Sequence, residues 1–566
     1  MHETITETHS TAPSNKAVFS QLRRYFLYAF IAVGVLMFVL DYLASSVGSD
    51  TQEARAVDFE TQSIAIAIAE EPPQLNSSLA TDAVSGMVLG HIMEGLLRMG
   101  VDDQLEAGIA ERWEVTPETA TFWLRKDARW SDGEPITAKD FLFAWQTALD
   151  PDNASEYAFL LYAIKNAEAI NQGNLPLTDL GVRIPDPHTL VVELERPVPF
   201  FDKMVVFPTF LPIRQDFYEA TGGRFGADAK DLLYSGPFVM ASWVHGSSLL
   251  LQKNPYYWDK DRIRLNEINV AYITSDVNAR INFFKDERIA FTGLQAENLI
   301  DAMRQKWPIK RYQDGTVFFL EFNHREDRLS ENLNFRRALQ SVLDMEELVY
   351  KVTKLPGYRP GESLFPTFLM GVEKSFRQEY PATKIPVDYA QARAYLAQAK
   401  EELGLAEWPE FVLLCGDNPI SNIQSEWVQG ALKKHLGLTL KIDKQIFKQR
   451  LAKMTAGDFD LVLAGWGPDY NDPLTFGDLF ASWNLNNRGR YASPEMDRLI
   501  AVAQNASTPQ SRMEAFAGIQ QLIIDDAVIL PMYERGLTYV LHPKLKGVKR
   551  RVIGADTDFT NAYVER

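Results

Sequence analysis

Hydrophobic positions along the chain repeat with two periods, one typical of strands and one typical of helices. The segment 63–69 alternates isoleucine with alanine, which predicts a strand. Short apolar runs bounded by turn residues predict further strands at 121–124, 317–322, 411–414, 438–442 and 461–464. Among the later runs lie two helical patterns, 388–404 and 421–437, each of which ends at a glycine. Strands that alternate with helices predict an α/β fold with a parallel sheet in this part of the chain.

The stretch 458–472 places polar chemistry directly after one of these strands. The apolar run 461–464 is predicted to stop at Gly465-Trp466-Gly467-Pro468, because two glycines and a proline break a regular ladder. The turn then carries the ring of Trp466 and the carboxylate of Asp469 to a strand end, which is where open α/β folds bind ligands. Asp469 could instead cap the helix that follows it, a common use of aspartate in a turn. The residues alone leave both interpretations open.

Composition and charge describe a folded, acidic chain. The 566 residues exceed a single core, so two or three lobes are expected, and 46% hydrophobic with 23% charged residues argues against disorder. With 58 basic and 75 acidic side chains the net charge is -17, which disfavours nucleic acid or anionic lipid as a partner. Cys415 is the only cysteine, so no intrachain disulfide forms. The eight histidines lack metal-ligand spacing, and we expect neither a metal ion nor a cofactor.

An apolar segment near the amino terminus predicts contact with a membrane. Residues 25–40 are uncharged, follow Arg23 and Arg24, and fall in length between a signal-peptide core and a full membrane span. We interpret 1–24 as a cytoplasmic leader, 25–46 as a transmembrane anchor or signal segment, and 47–62 as a linker. The basic residues before the apolar segment place the main body outside the cytoplasm. An uncleaved anchor is preferred over cleavage near residue 48.

The candidate turn resembles a known binding segment. Residues 465–473 fit the pattern Gly-Trp-x-x-Asp-Tyr-x-x-Pro. This pattern resembles the peptide-binding segment of the family 5 extracellular solute-binding proteins, which serve as oligopeptide and dipeptide receptors of bacterial ABC importers. The resemblance extends over nearly all of 64–552, with several motifs in the same order.

The longest of these motifs covers 110–145. It resembles the family signature of tryptophan, Ser-Asp-Gly, Pro, Thr-Ala and Asp-Phe. Within it, Thr137 and Asp140 predict a capping box at the start of a helix. Trp123, Trp130 and Trp145 are expected in the core rather than in contact with ligand.

The resemblance implies an α/β, periplasmic binding protein-like fold of the three-lobed class C type, with a hinge and an interlobe cleft, preceded by one N-terminal transmembrane helix. Lobe I would comprise 63–84, 207–320 and 531–566; lobe II would comprise 85–206, and lobe III 321–530. The hinge is expected near 319–323.

The resemblance also implies a binding site, whose candidate residues are Asp469, Trp466, Gly465, Tyr470, Tyr157 and Glu71. Asp469 would bind the α-ammonium group of a peptide, since a buried ammonium needs a paired anion and charge-assisted hydrogen bonds. Tyr157 would contact the peptide backbone, with a packing role as the alternative. Glu71 lies in a loop that would contact the ligand backbone, and its alternative is a solvated acidic turn.

The implied function is that of the periplasmic substrate-binding component of a peptide ABC transporter. It would be a monomer, tethered to the inner membrane by its N-terminal helix, that delivers short peptides to permease subunits. In family members that hold tripeptides, two basic residues approach the ligand carboxylate. Leu463 and Met454 occupy those positions here. Basic residues such as Arg450 lie nearby in sequence, so carboxyl-end recognition stays open.

Two other classes of function compete with this interpretation. The chain could be a family 5 receptor for a non-peptide ligand, such as a metal chelate, haem or another small molecule, or a membrane-tethered peptide sensor. Retention of Asp469 favours a ligand with a free amine. An enzyme is not expected, because the sequence has no nucleophile elbow, no His-Glu-x-x-His motif, no Walker loop and no dinucleotide fingerprint.

Overall fold

The structure is a computed structural model that describes residues 54–100, 104–198, 200–506 and 508–566, together with Tyr28 and Gly34. The chain divides into two units, Met1–Ala54 and Arg55–Arg566. Apart from those two single residues, the predicted leader and the anchor 25–46 lie outside the described residues. Within the part of the chain that is described, no helix combines the length and the apolar character needed to span a membrane. The elements below all belong to the second unit.

The strands of this unit are short, apart from two long ones near the middle and the end of the chain. In chain order they are β1 (Val57–Asp58), β2 (Ser63–Ile68), β3 (Leu97–Met99), β4 (Leu105–Ala107), β5 (Ala110–Val115), β6 (Thr119–Leu124), β7 (Val182–Asp186), β8 (Thr189–Glu193), β9 (Phe238–Val244), β10 (Ser248–Lys253), β11 (Glu267–Ile273), β12 (Phe291–Leu294), β13 (Lys310–Phe322), β14 (Arg359–Pro360), β15 (Phe411–Gly416), β16 (Leu440–Gln445), β17 (Leu461–Trp466), β18 (Ile529–Leu541), β19 (Leu545–Lys546), β20 (Lys549–Arg550), β21 (Thr557–Asp558) and β22 (Tyr563–Val564).

The longer helices are concentrated in the second half of the unit. The α-helices are Ala83–Ile92, Ala138–Leu149, Ala167–Asn171, Phe201–Met204, Gln215–Ala220, Val277–Lys285, Ala296–Arg304, Leu333–Gln340, Met345–Glu347, Phe376–Glu379, Tyr389–Glu402, Pro419–Leu436, Phe447–Ala456, Leu474–Gly477, Pro494–Asn505 and Pro509–Asp525. A π-helix, Leu348–Thr353, follows the helix that ends at Glu347.

Two smaller sheets contain the first predicted strands. A five-stranded sheet has the order β1-β2-β11-β10-β9, and a four-stranded sheet has the order β5-β6-β8-β7. The prediction of a strand at 63–69 is confirmed: β2 pairs with β1 and β11 along its two edges, and side chains on both of its faces are buried. The strand prediction at 121–124 is also confirmed, and β6 alternates between buried and half-buried side chains.

The segment 110–145 is scaffold, as expected. Trp130 and Trp145 are almost completely buried in the main core. Trp123 is only partly buried, because its side chain lies on the other face of β6, where the guanidinium of Arg112 is 3.4 Å from its ring centroid. The Thr137 capping box begins the helix Ala138–Leu149. Local capping therefore agrees with the pattern read from the sequence.

The largest sheet contains seven strands in the order β12-β18-β13-β17-β15-β16, with β14 paired to β18. The prediction of a parallel sheet in this region is confirmed only for β16, β15 and β17, which pair in parallel. These three strands are joined by helices, and such crossovers produce parallel neighbours. The remaining pairs, in which β13 or β18 takes part, are antiparallel. The sheet is therefore mixed.

The predicted end of the strand at residue 464 is wrong. β17 continues through Gly465 and Trp466, which pair with Phe318 and Val317 of β13. A side chain at residue 465 would come within 2.9 Å of the Phe318 ring, so glycine here permits close packing instead of breaking the strand. The turn begins only at Gly467.

Helix ends match the sequence signals closely. The Asp388 carboxylate accepts hydrogen bonds from the backbone N–H groups of Ala390 and Gln391, both at 2.9 Å, and so caps the helix Tyr389–Glu402. Gly437 ends the helix Pro419–Leu436 with a left-handed φ of 71°. The predicted lobe boundaries, and the hinge placed at the end of β13, stay predictions.

Loss of the Asp388 cap should destabilise the protein without altering its fold. Asp388→Ala leaves two helix N–H groups without their acceptor, which costs roughly 1 kcal/mol in the free energy of unfolding. Urea unfolding followed by circular dichroism measures this loss. Glu401→Ala, at an exposed position near the other end of the same helix, is the control and should be nearly neutral. Equal effects of the two variants would contradict the capping role.

Candidate ligand-binding site

Asp469 follows β17 by three residues and has a buried carboxylate, with 8% of the residue exposed. Its Oδ1 accepts a hydrogen bond from the hydroxyl of Tyr157 at 3.1 Å, and its Oδ2 accepts one from the hydroxyl of Thr475 at 3.3 Å. The Thr475 oxygen in turn accepts the backbone N–H of Asp469 at 2.9 Å. The carboxylate is therefore fixed in position by two neutral hydroxyl groups.

No cation compensates this carboxylate. Among the described residues, Asp469 forms no ion pair with lysine, arginine or histidine. Burial away from water raises the pKa of Asp469 to about 8, and the two hydroxyl hydrogen bonds oppose this rise only in part. A buried carboxyl group of this kind is a strong acceptor for a cation that enters the site.

The alternative role of Asp469 as a helix cap is not what the structure shows. The next helix, Leu474–Gly477, has Pro473 at its N-cap and no side-chain cap; its first backbone N–H, that of Leu474, donates to Oδ1 of Asp472 at 2.9 Å. The guanidinium of Arg512 binds both carboxylate oxygens of Asp472, at 2.6 and 2.7 Å. The two neighbouring aspartates thus differ in role: Asp472 is paired within the protein and Asp469 is not.

Aromatic side chains surround Asp469. The rings of Tyr157 and Trp466 lie 6.1 Å apart between centroids, and the Trp466 Nε1–H donates to the carbonyl of Thr475 at 2.7 Å. Tyr470 is stacked on Phe200 with 6.0 Å between centroids and an angle of 9° between planes. The structure therefore brings together four of the predicted residues: Asp469, Trp466, Tyr470 and Tyr157. Tyr157 also packs as the alternative interpretation expected, since it is almost completely buried.

The site is closed by contacts between segments that are far apart in sequence. Glu156, next to Tyr157, forms an ion pair with Arg488 at 2.6 Å and accepts a hydrogen bond from Thr455 at 2.9 Å. Asn486 donates to the backbone carbonyl of Glu156 at 3.1 Å. These contacts join the region predicted as lobe II to the region predicted as lobe III across the site.

One edge of β17 is open beside the site. The ladder between β15 and β17 includes only Leu461 and Val462, so it ends before Leu463. Because the N–H and C=O groups of alternate residues point to the same edge of an antiparallel pair, Gly465 directs its backbone groups to the same edge as Leu463. Gly465 is exposed, in contrast to the buried residues around it.

The basic side chain of Arg450 lies at this edge, a position that the sequence alone did not predict. Arg450 donates from Nη1 to the backbone carbonyl of Leu463 at 3.1 Å, and its buried Nε has no hydrogen-bond partner among the described residues. Arg450 precedes Met454 by one helical turn, so the two share a face of the helix Phe447–Ala456. Helical spacing is the sequence signal that could have identified Arg450: position 454 has no basic residue, but position 450, one turn earlier on the same face, has one.

The loop after β2 contains Glu71, which bonds to a hairpin of the five-stranded sheet, and its predicted contact with ligand stays a prediction. Glu71 accepts hydrogen bonds from Trp243 at 2.8 Å, His245 at 2.6 Å and the backbone N–H of Gly246 at 2.8 Å, which tie it to the β9–β10 hairpin and not to Asp469. Its neighbour Glu70 was not singled out from the sequence. Burial raises the pKa of Glu70, and the charge of Arg450 opposes this rise.

The mixed α/β fold and the buried acidic site between distant segments of the chain define a ligand-binding class of protein. Comparison with known proteins identifies the family: residues 104–487 match the model of the bacterial extracellular solute-binding proteins, family 5 Middle. The chain belongs to this family of substrate-binding receptors.

Individual relatives cover almost the whole chain. The oligopeptide-binding protein OppA of Bacillus subtilis is 32% identical over 508 residues, which is 88% of this chain and 92% of the relative. The substrate-binding domain of an oligopeptide ABC transporter from Bacillus anthracis superposes with a TM-score of 0.86 at 32% identity, covering 91% of this chain and all of that one. Listeria monocytogenes OppA bound to peptide gives a TM-score of 0.84 at 28% identity, covering 89% of this chain and 99% of the other.

The raised pKa of Asp469 predicts a stability that falls with pH in the absence of ligand. The folded state retains a proton that the unfolded chain loses near pH 3.8, so this stabilisation is lost as the pH rises from about 4 to about 8. Asp469→Asn cannot ionise and should be more stable than wild type at pH 8, by a few kcal/mol, with a smaller difference at pH 5.

Calorimetric melting of both proteins at pH 5 and pH 8 tests this prediction. Asp472→Asn serves as the control, because it leaves Arg512 without its partner and should destabilise the protein at both pH values. A difference between wild type and Asp469→Asn that is the same at both pH values would show that Asp469 is not buried as a carboxylic acid.

Proposed function

We propose that this protein is the periplasmic substrate-binding component of a peptide ABC transporter and that Asp469 binds the amino terminus of a short peptide. The observation that carries the proposal is the buried carboxylate of Asp469, which is fixed by two hydroxyl groups and lacks a cation. A peptide ammonium supplies that positive charge and three N–H donors. Of the relatives named above, one is called an oligopeptide-binding protein, one is the substrate-binding domain of an oligopeptide ABC transporter and one is bound to peptide, and all three support the same ligand class.

The open edge of β17 suits the peptide backbone. An extended peptide can pair with Gly465 as an added strand, so that backbone hydrogen bonds supply affinity that does not depend on sequence. Trp466 and Tyr157 then lie beside the amino-terminal residue of the peptide, together with Asp469. Only the closed arrangement contacts the ligand from both sides, so the ligand favours closure.

Arg450 is our candidate for the carboxyl end of the peptide. Its guanidinium group donates to the backbone carbonyl of Leu463, and its Nε–H has no partner among the described residues. A peptide carboxylate can accept a charge-assisted hydrogen bond from this Nε–H. Leu463 and Asp469 are six residues apart, so the two anchors are separated by at most about 20 Å. Such a distance limits a ligand that reaches both anchors to a few residues.

The remaining properties follow from this role. The protein would face the periplasm, tethered to the inner membrane by the segment 25–46, act as a monomer, deliver peptide to permease subunits and catalyse no reaction. A non-peptide ligand is less favoured, because a metal chelate or haem supplies no ammonium for Asp469. A tethered peptide sensor would use the same site.

Removal of the Asp469 charge should weaken peptide binding. Asp469→Asn leaves the ammonium of a bound peptide without an anion, and the loss of one partner from a buried charge pair costs roughly 2–5 kcal/mol, or about 30-fold or more in Kd. Isothermal titration calorimetry with trialanine at pH 7 measures the loss. N-acetyl-trialanine lacks the ammonium and should bind weakly to both proteins.

Asp327→Asn is the matched control, since Asp327 is an exposed carboxylate away from the site. It should leave the affinity unchanged. If trialanine binds Asp469→Asn as tightly as wild type, Asp469 is not the ammonium partner.

The role of Arg450 predicts a preference for a free carboxyl end. Wild type should bind trialanine at least about tenfold more tightly than trialanine amide, because only the acid can form a charge-assisted pair. Arg450→Met should abolish this preference mainly by weakening binding of the acid. Lys448→Met, an exposed position on the same helix, should retain the preference. Calorimetric titration of each of the three proteins with both ligands measures the preference, and a preference that survives in Arg450→Met would assign the carboxyl end elsewhere.

A further inference from the structure

Tyr470 also lines a cavity of about 80 Å³, whose walls do not include Asp469 or the two hydroxyl residues that bind it. The walls combine residues from the segment 159–163, Arg196, Val198, Phe200 and Met204 with residues from the segment 470–483, so the cavity too lies between the regions predicted as lobes II and III. Liquid water occupies about 30 Å³ per molecule, so this space holds two or three waters or a chain of a few heavy atoms. It is therefore large enough for the end of a side chain or for a small molecule.

Asp478 is the most unusual residue of this cavity. It is 4% exposed, and among the described residues no side chain donates a hydrogen bond to its carboxylate or forms an ion pair with it; only its own backbone N–H interacts with the carboxylate. Burial and the repulsion of Asp469 and Asp472 hold the pKa of Asp478 well above its ordinary range. A buried carboxyl group without a partner is costly unless another group pairs with it.

The other charged side chains of the cavity leave this carboxyl group uncompensated. Arg196 and Glu168 also line it, which leaves one net negative charge when both carboxylates are ionised. Arg196 makes no ion pair with Asp478, although its charge favours ionisation of that group. Glu168 is exposed.

Aromatic side chains form much of the remaining wall, namely Phe159, Tyr162, Phe200, Tyr470 and Trp483. Aromatic faces attract cations, and the attraction grows when the cation is removed from water. One buried carboxylate among several aromatic rings is a composition suited to an organic cation rather than to an anion or a hydrated metal ion.

We propose that this cavity is a second cation-binding subsite, which takes an alkylammonium or guanidinium group and pairs it with the carboxylate of Asp478 among the surrounding aromatic rings. Such a group has two possible sources: a lysine or arginine side chain of a bound peptide, or a free small amine. The first source rests on the peptide-binding function proposed above, and the second does not.

The first arm of the test uses peptides. Trialanine derivatives that carry lysine at one of the three positions are compared with the same peptides carrying norleucine, which retains the chain length but lacks the charge. If a side chain is the source, one lysine peptide should bind wild type about tenfold or more tightly than its norleucine partner, and Asp478→Asn should remove the difference without weakening the norleucine peptide.

The second arm uses n-butylammonium chloride alone, titrated by calorimetry. Because this amine can also pair with Asp469, the titration uses Asp469→Asn. If a free amine is the source, Asp469→Asn should bind butylammonium, and the double variant that also carries Asp478→Asn should not. The titration does not require trialanine to bind, so failure of the peptide function is distinguished from failure of the subsite. The absence of both the lysine preference in wild type and butylammonium binding in Asp469→Asn, or the persistence of either once Asp478→Asn is added, would overturn the proposal.

Arg196→Gln supplies an independent test that does not depend on the folding of Asp478→Asn. It removes the positive charge that competes for Asp478, so whichever cation binds wild type should bind this variant several-fold more tightly. A packing role for Arg196 would not strengthen cation binding. Unchanged or weaker cation binding by Arg196→Gln would contradict the electrostatic account.

Discussion

The desolvation of a single carboxyl group, that of Asp469, is the constraint on which the site depends. The side chain is held between the hydroxyl groups of Tyr157 and Thr475, which orient it but cannot neutralise a charge. Asp472, three residues later in the same turn, is by contrast paired with a cation, because Arg512 donates to both of its carboxylate oxygens. The contrast indicates that the missing cation at Asp469 is a property of the site and not of the turn.

The surrounding structure supports this arrangement at several levels. β17 extends two residues further than a simple turn would allow, which fixes Trp466 against the sheet and starts the turn at Gly467. The Glu156–Arg488 ion pair closes the site from the opposite side. In the proposed mechanism, closure would remove water from the carboxyl group and so increase the affinity of the site for a cation, while an ammonium group would favour the closed state that binds it.

Local signals in the sequence predicted local features well. The strands near residues 63 and 121, the Asp388 cap and the Gly437 helix end were all accessible, because each depends on neighbours within a few residues. The continuation of β17 through Gly465 was not, since it depends on pairing with β13, more than a hundred residues away. For the same reason the sequence alone could not select Arg450 from the basic residues near it.

The most direct test of the account is the number of protons released when a peptide binds at pH 6, measured by calorimetry in buffers of different ionisation enthalpy. With a pKa of about 8, Asp469 carries a proton in the empty closed site, whereas the peptide amine is already charged at this pH. Formation of the ion pair must then expel close to one proton per peptide from wild type and none from Asp469→Asn. Equal proton release by the two proteins would contradict the claim that a buried, uncompensated Asp469 receives the peptide ammonium.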